Sequence, residues 1–143
     1  MKKLTFLFLL CSFLLLIGCS DEGSAPTGSS GGTNPVDTIV NFATDVRPII
    51  QSNGCLGGSC HGGSASNGGL NLGSAEYSEI ISANGTNGAF VVANSSATST
   101  FYIKVSQDTP SIGGSRMPLT GGALSAGQIE MIKDWIDQGA LNN

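Results

Sequence analysis

The sequence has little positive charge. Of its 143 residues six are Lys or Arg against ten Asp and Glu, and Lys2 and Lys3 sit in an N-terminal segment expected to be removed. That leaves four basic residues against the same ten acids, a formal charge near −6. No basic stripe is left to neutralise phosphates, so nucleic acid is excluded as a partner. The acid excess otherwise implies solubility and a mild preference for basic partners. Aromatic residues make up 6% of the chain, a sparse supply for the core of a domain this small. Histidine occurs once, at His61, and cysteine four times, at positions 11, 19, 55 and 60. No second Cys or His pair is available to complete a zinc site, which wants four ligands, or three and a water. No internal repeat is present, and no segment reads as a sheet.

What is present begins with "MKKLTFLFLLCSFLLLIGCS": two lysines, an apolar run short for a bilayer, then Leu16, Ile17, Gly18 and Cys19. This reads as a signal peptide over residues 1–18. Its end resembles the lipobox of bacterial lipoproteins, in which the cysteine is acylated and becomes the first residue of the mature chain. An ordinary secretory signal would instead end on two small residues spaced by one. Cys11 then leaves with the leader, Cys19 carries lipid, and the mature domain keeps one pair, Cys55 and Cys60, in an oxidising compartment. Residues 19–36, dense in Gly, Ser, Thr and Pro, form a tether that would hold the domain about 20 Å from its lipid on average. The Ser-Asp-Glu after Cys19 resembles the surface-export signal of Bacteroidetes lipoproteins, and reads equally as an acidic linker start. The chain is therefore expected on the periplasmic side of a bacterial membrane or on the cell surface, lipid-anchored, the outer membrane being favoured over the inner.

Residues 37–143 make one small domain. Glycine clusters between 54 and 88 and at 113–122, marking long irregular connections between a few helices. "FATDVRPIIQSNG" predicts a first helix with Phe42, Val46, Ile49 and Ile50 on one face, Thr44 as N-cap, Pro48 in its opening turns and Asn53-Gly54 as its stop. Weaker helices are predicted through "SAEYSEIIS", capped by Ser74, and "STSTFYIKVSQ", capped by Ser99 or Thr100. The last is the clearest. In "LSAGQIEMIKDWIDQGA" Ser125 and Gln128 form a capping box, Ile129, Ile132 and Ile136 a stripe that Met131 and Trp135 broaden, and Gly139 the end. "AFVVA", residues 89–93, is a strand or a buried extended segment.

The chemistry is concentrated in "NGCLGGSCHGG", which places Cys55, Cys60 and His61 within seven residues. A c-type haem site has two cysteines two residues apart followed at once by histidine. Here the spacer has four residues, Leu56 to Ser59. A redox dithiol would want two spacer residues at a helix start after a strand, and this pair follows a helix. A disulfide suits the two cysteines of a secreted domain but leaves His61 without a role. Haem accounts for all three, with two thiols for the two vinyl groups and an imidazole for the iron. The longer spacer could be absorbed by Gly57 and Gly58 bulging outward with positive φ. For a sixth ligand the mature chain offers two methionines. Met131 lies on the apolar face of the last helix, where core packing is the usual role. Met117 lies in "GGSRMPLTGG", a polar loop stiffened by Pro118.

The succession of "VRPII", "CHGG", "GGLNL", "STSTFYIKV", "RMP" and "LSAGQIEMIKDWIDQGA" resembles the single-haem cytochrome c domains of planctomycete and Bacteroidetes proteins, similar to class I cytochrome c. The likeness spans nearly the whole domain and departs from the family in the four-residue spacer. It implies an all-α fold, a small cytochrome c-like domain of three to five helices with long Gly-rich loops. It also implies one covalent haem c on Cys55 and Cys60, axial His61 and Met117, and packing of the first helix on the last through Trp135. Arg116 beside Met117 could meet a haem propionate. With both axial positions filled the implied work is electron transfer between redox partner proteins rather than enzyme catalysis. The alternative is a haem-free lipoprotein binding or structural module with a Cys55–Cys60 disulfide.

Overall fold

Asn41 decides where the first helix begins. Its side-chain oxygen accepts from the amides of Ala43 and Thr44 at 3.0 and 3.2 Å, two donors that a helix start leaves without partners. In the computed structural model, which describes residues 38–143, the chain then enters a π-helical turn, Phe42–Val46, and continues as α1, Arg47–Ser52. The expected cap at Thr44 is thus corrected to Asn41. Thr44 lies inside the turn with its hydroxyl on Asp45, and the earlier start brings Phe42 into the helix and the core. Pro48 sits in the first turn of α1, and Gly54, at φ 77°, follows its end. The leader over residues 1–18, the acylation site Cys19 and the tether over 19–36 lie outside the described residues.

The second helix, α2, spans Tyr77–Ser82 and is capped by Glu76 rather than Ser74. The Glu79 carboxylate reaches back to the amides of Glu76 at 3.0 Å and Ser74 at 2.8 Å, so Ser74 contributes its N–H and not its hydroxyl. α3 spans Thr100–Ser106 from an N-cap at Ser99. The buried Ser99 hydroxyl donates to the Ser95 carbonyl and accepts from the Val92 amide, both at 2.8 Å, instead of capping. α4, Ala126–Asp137, carries the predicted Ser125–Gln128 box, closed by bonds of 3.2 and 3.0 Å, and Gly139 at φ 104° follows it. A two-stranded antiparallel sheet, β1 at Asn84–Gly85 and β2 at Gly88–Ala89, precedes the buried Phe90 and Val91. The fold is therefore mostly helical, with four α-helices among the described residues and this small sheet added to the all-helical expectation. None of the described helices is long and apolar enough to cross a membrane.

The core gathers where the first and last helices meet. Phe42 lies between Trp135 and Tyr77, with ring centroids 5.3 Å apart in both pairs, and Tyr77 donates its hydroxyl to the Ala140 carbonyl at 2.8 Å. Ile132, Trp135 and Ile136 are fully buried on α4, with Val46, Ile50 and Ile80 beside them. Met131 is not part of this packing. It is 37% exposed, because the strip that α4 turns inward is spanned by Ile132, Trp135 and Ile136 and leaves Met131 at its edge.

Asp137, at the end of α4, holds the loop before α3. Its carboxylate accepts from the Ser96 amide at 2.8 Å and the Ser96 hydroxyl at 3.0 Å, and lies 3.4 Å from Lys133. Partial burial pushes this carboxyl upward, but the two Ser96 bonds and Lys133 outweigh it and hold it below the usual carboxylate range. The stability linked to that shift is present above the usual range and disappears as pH falls through the lowered value. Asp137→Asn should lower stability at neutral pH by up to about 1 kcal/mol, exposure limiting the gain, and flatten the acid limb of melting temperature against pH. An acid limb as steep as the parent's would refute this assignment.

Candidate functional site

The loop after α1 is built from short hydrogen-bonded turns. Gly57 donates to the Gly54 carbonyl at 3.2 Å, Cys60 to Gly57 at 2.8 Å, and His61 back to Cys55 at 3.0 Å, closing the two cysteines and the histidine into one ring of backbone. The expected bulge with positive φ at Gly57 and Gly58 is corrected: neither residue adopts it, since the turns absorb the four spacer residues without left-handed backbone. The glycine that this loop requires is Gly62. A Cβ there would lie 2.3 Å from the Leu56 carbonyl oxygen, so no other residue fits without moving the backbone.

Two further segments hold the loop. Asn67 donates from its amide group to the carbonyls of Ser59 and Cys60, the latter at 2.9 Å. The stretch Leu70–Gly73 runs beside His61: the Leu72 amide donates to the His61 carbonyl at 2.7 Å, and Gly62 and Gly73 form a parallel bridge. Here the imidazole is fixed. His61 Nδ1 lies 3.1 Å from the Leu70 carbonyl, and because a carbonyl only accepts, Nδ1 carries the proton and Nε2 the free lone pair.

Cys55, His61 and Met117 line one apolar cleft together with Leu70, Phe90 and Phe101. Phe90 and Phe101 stack at 4.5 Å to form part of its wall. A second depression, lined by Cys55, Cys60, His61, Met117 and Leu119, adjoins it through the four shared residues Cys55, His61, Asn67 and Met117. Cys55 and Cys60 are free thiols and half-buried. Burial pushes the Cys55 thiol up, a backbone hydrogen bond opposes this, and nearby Cys60 adds to it. A thiol kept protonated in this way is a poor redox nucleophile, which argues against a dithiol exchange centre. Among the described residues no three His, Cys, Asp or Glu side chains converge as a metal-binding group.

Met117 is half-buried against the core, and its amide donates to the Lys104 carbonyl of α3 at 2.8 Å. Arg116 points elsewhere. Its Nε donates to the Val105 carbonyl at 3.0 Å and its guanidinium pairs with Asp108, so it is absent from the residues lining the cleft. The cation that does line the cleft is Lys104, which sequence reasoning passed over as one more residue of a helix. Leu70 was equally hidden, because its contribution is a backbone carbonyl. Compared with known protein families, characterised proteins and solved structures, the chain matches none.

Proposed function

We propose that this domain carries single electrons through one covalent haem c, bonded through Cys55 and Cys60 and ligated by His61 and Met117. The supporting observation is that an imidazole with its Nε2 lone pair free and a thioether line the same apolar cleft, with Cys55 at its edge and Cys60 in the adjoining depression. That donor set fits haem iron of the cytochrome c type, and the Leu70 carbonyl is the outer partner that such an imidazole needs to keep its tautomer and orientation. The finer description of this mostly helical fold as cytochrome c-like belongs to this proposal.

When bound, the haem iron supplies a reversible one-electron couple. The chain's own residues do the rest. Cys55 and Cys60 would hold the haem through two thioether bonds, a thiol addition that needs no oxidant. His61 and Met117 would both hold the iron, and the chemistry so supplied would be electron transfer to redox partner proteins rather than reaction of a bound substrate. Leu70, Leu72, Phe90 and Phe101 exclude water from the cleft, and low polarity around the iron sets its potential together with the sulfur ligand. Acylated at Cys19, the chain would do this on the periplasmic side of a bacterial membrane or on the cell surface, the outer membrane being favoured.

Mass spectrometry of the denatured mature protein tests the attachment. One haem per chain is expected, lost in Cys55→Ser with Cys60→Ser. A mass two protons short of the reduced chain and without haem would instead establish the disulfide module.

A further inference from the structure

Lys104 is unusual among the described cations. Arg47 pairs with Glu76, Arg116 with Asp108, and Lys133 with Glu130, Asp134 and Asp137, whereas Lys104 has no acidic partner among the described residues. Its ammonium is spent on backbone: Nζ donates to the Gly113 carbonyl at 2.6 Å and to the Ser115 carbonyl at 3.3 Å. The Lys104 carbonyl in turn accepts from the Met117 amide at 2.8 Å, and the next carbonyl, Val105, accepts from Arg116. Four hydrogen bonds thus tie two consecutive residues of α3 to the five-residue segment 113–117. The segment itself is built to receive the lysine. Gly114, at φ 72°, has no Cβ, and one placed there would come within 2.8 Å of Nζ.

We propose that Lys104 is the positioning residue for Met117, a clasp from α3 that keeps the methionine loop against the cleft and so sets how firmly the sixth ligand is delivered. This rests on Met117 being that ligand. A glycine-rich loop has much conformational entropy to lose, and an ammonium donating to two of its carbonyls opposes that loss from one side chain. The charge matters because hydrogen bonds to ionised donors are the stronger ones, whereas a lysine free in solvent would contribute almost nothing.

The test uses the full chain matured with haem, and two readouts: the rate at which carbon monoxide binds the ferrous protein, which reports release of the sulfur, and amide exchange across residues 113–117. Loss of a charge-assisted bond is worth about tenfold in loop opening, so Lys104→Met should raise both rates by about that factor. Lys104→Arg, which keeps donors and charge, should return most of the difference. Gly114→Ala, which displaces Nζ without removing it, should mimic Lys104→Met. In a Met117→Ala background Lys104→Met should leave the carbon monoxide rate unchanged. A parent-like rate in Lys104→Met, or the same acceleration with Met117 already removed, would overturn the proposal. If the parent carries no haem, the proposed function falls separately. Amide exchange then decides the clasp alone, and unchanged exchange in Lys104→Met would end it.

Discussion

Met117→Ala is expected to convert a closed haem site into an open one. The variant should lose the weak ferric charge-transfer band that a sulfur ligand gives, and bind carbon monoxide or cyanide readily. Its potential should fall by a measurable part of the about 0.8 V over which axial ligands tune haem iron. These effects follow from removing the thioether that lines the cleft. Met131→Ala is the control. Because Met131 is 37% exposed, its truncation should cost less than the about 2–5 kcal/mol of a fully buried methionine and leave the spectrum unchanged. Spectra and potential unchanged in Met117→Ala but lost in Met131→Ala would identify the other sulfur. Indifference to both would mean an open iron and return ligand binding or catalysis to contention.

Trp135→Ala should remove a large share of the domain's stability. The indole is fully buried, 5.3 Å from Phe42, and its Nε1 donates to the Leu141 carbonyl at 2.9 Å. Truncating a buried aromatic costs about 3–5 kcal/mol, set against a total stability of about 5–15 kcal/mol for a domain of this kind. Trp135→Phe keeps most of the ring and strands the Leu141 carbonyl, so it should cost about 1–3 kcal/mol. Denaturant titration followed by far-ultraviolet circular dichroism reads both. An alanine variant within about 1 kcal/mol of the parent would show that the contact between the first and last helices is not the centre of the core.

Local signals were legible where one side chain answers one backbone need. Ser125 and Gln128 are such a case, as is the burial of Ile132, Trp135 and Ile136 at helical spacing. The caps of the first two helices were misjudged because the chain turns helical before the expected cap in the first and after it in the second. Asn41 out-reached Thr44, and Glu79 supplied from inside α2 what Ser74 was expected to supply from outside. At the site, Cys55, His61 and Met117 were legible from residue type and setting, and they line one cleft. The Leu70 carbonyl was not, since every residue carries one and only tertiary placement selects it. Arg116 was singled out for its nearness in sequence to Met117; in the fold it pairs with Asp108, while Lys104, which drew no notice in the sequence, donates to the methionine loop.

The hydrogen bonds that seal the two ends of the domain govern how it can form. Phe42 donates to the Asn143 side chain at 2.9 Å and Val40 to Gln138 at 2.8 Å, partners separated by 101 and 98 positions. The described α-helices run from six to twelve residues, too short to persist in water by themselves. Helix formation is fast, but here it cannot be kept until nearly the whole chain has been looped back on itself, and that closure entropy is spent before the Phe42–Trp135 contact returns anything. The transition state for folding should accordingly resemble that of a sheet protein with distant pairings more than that of a helical bundle, with the first and last helices meeting late and together.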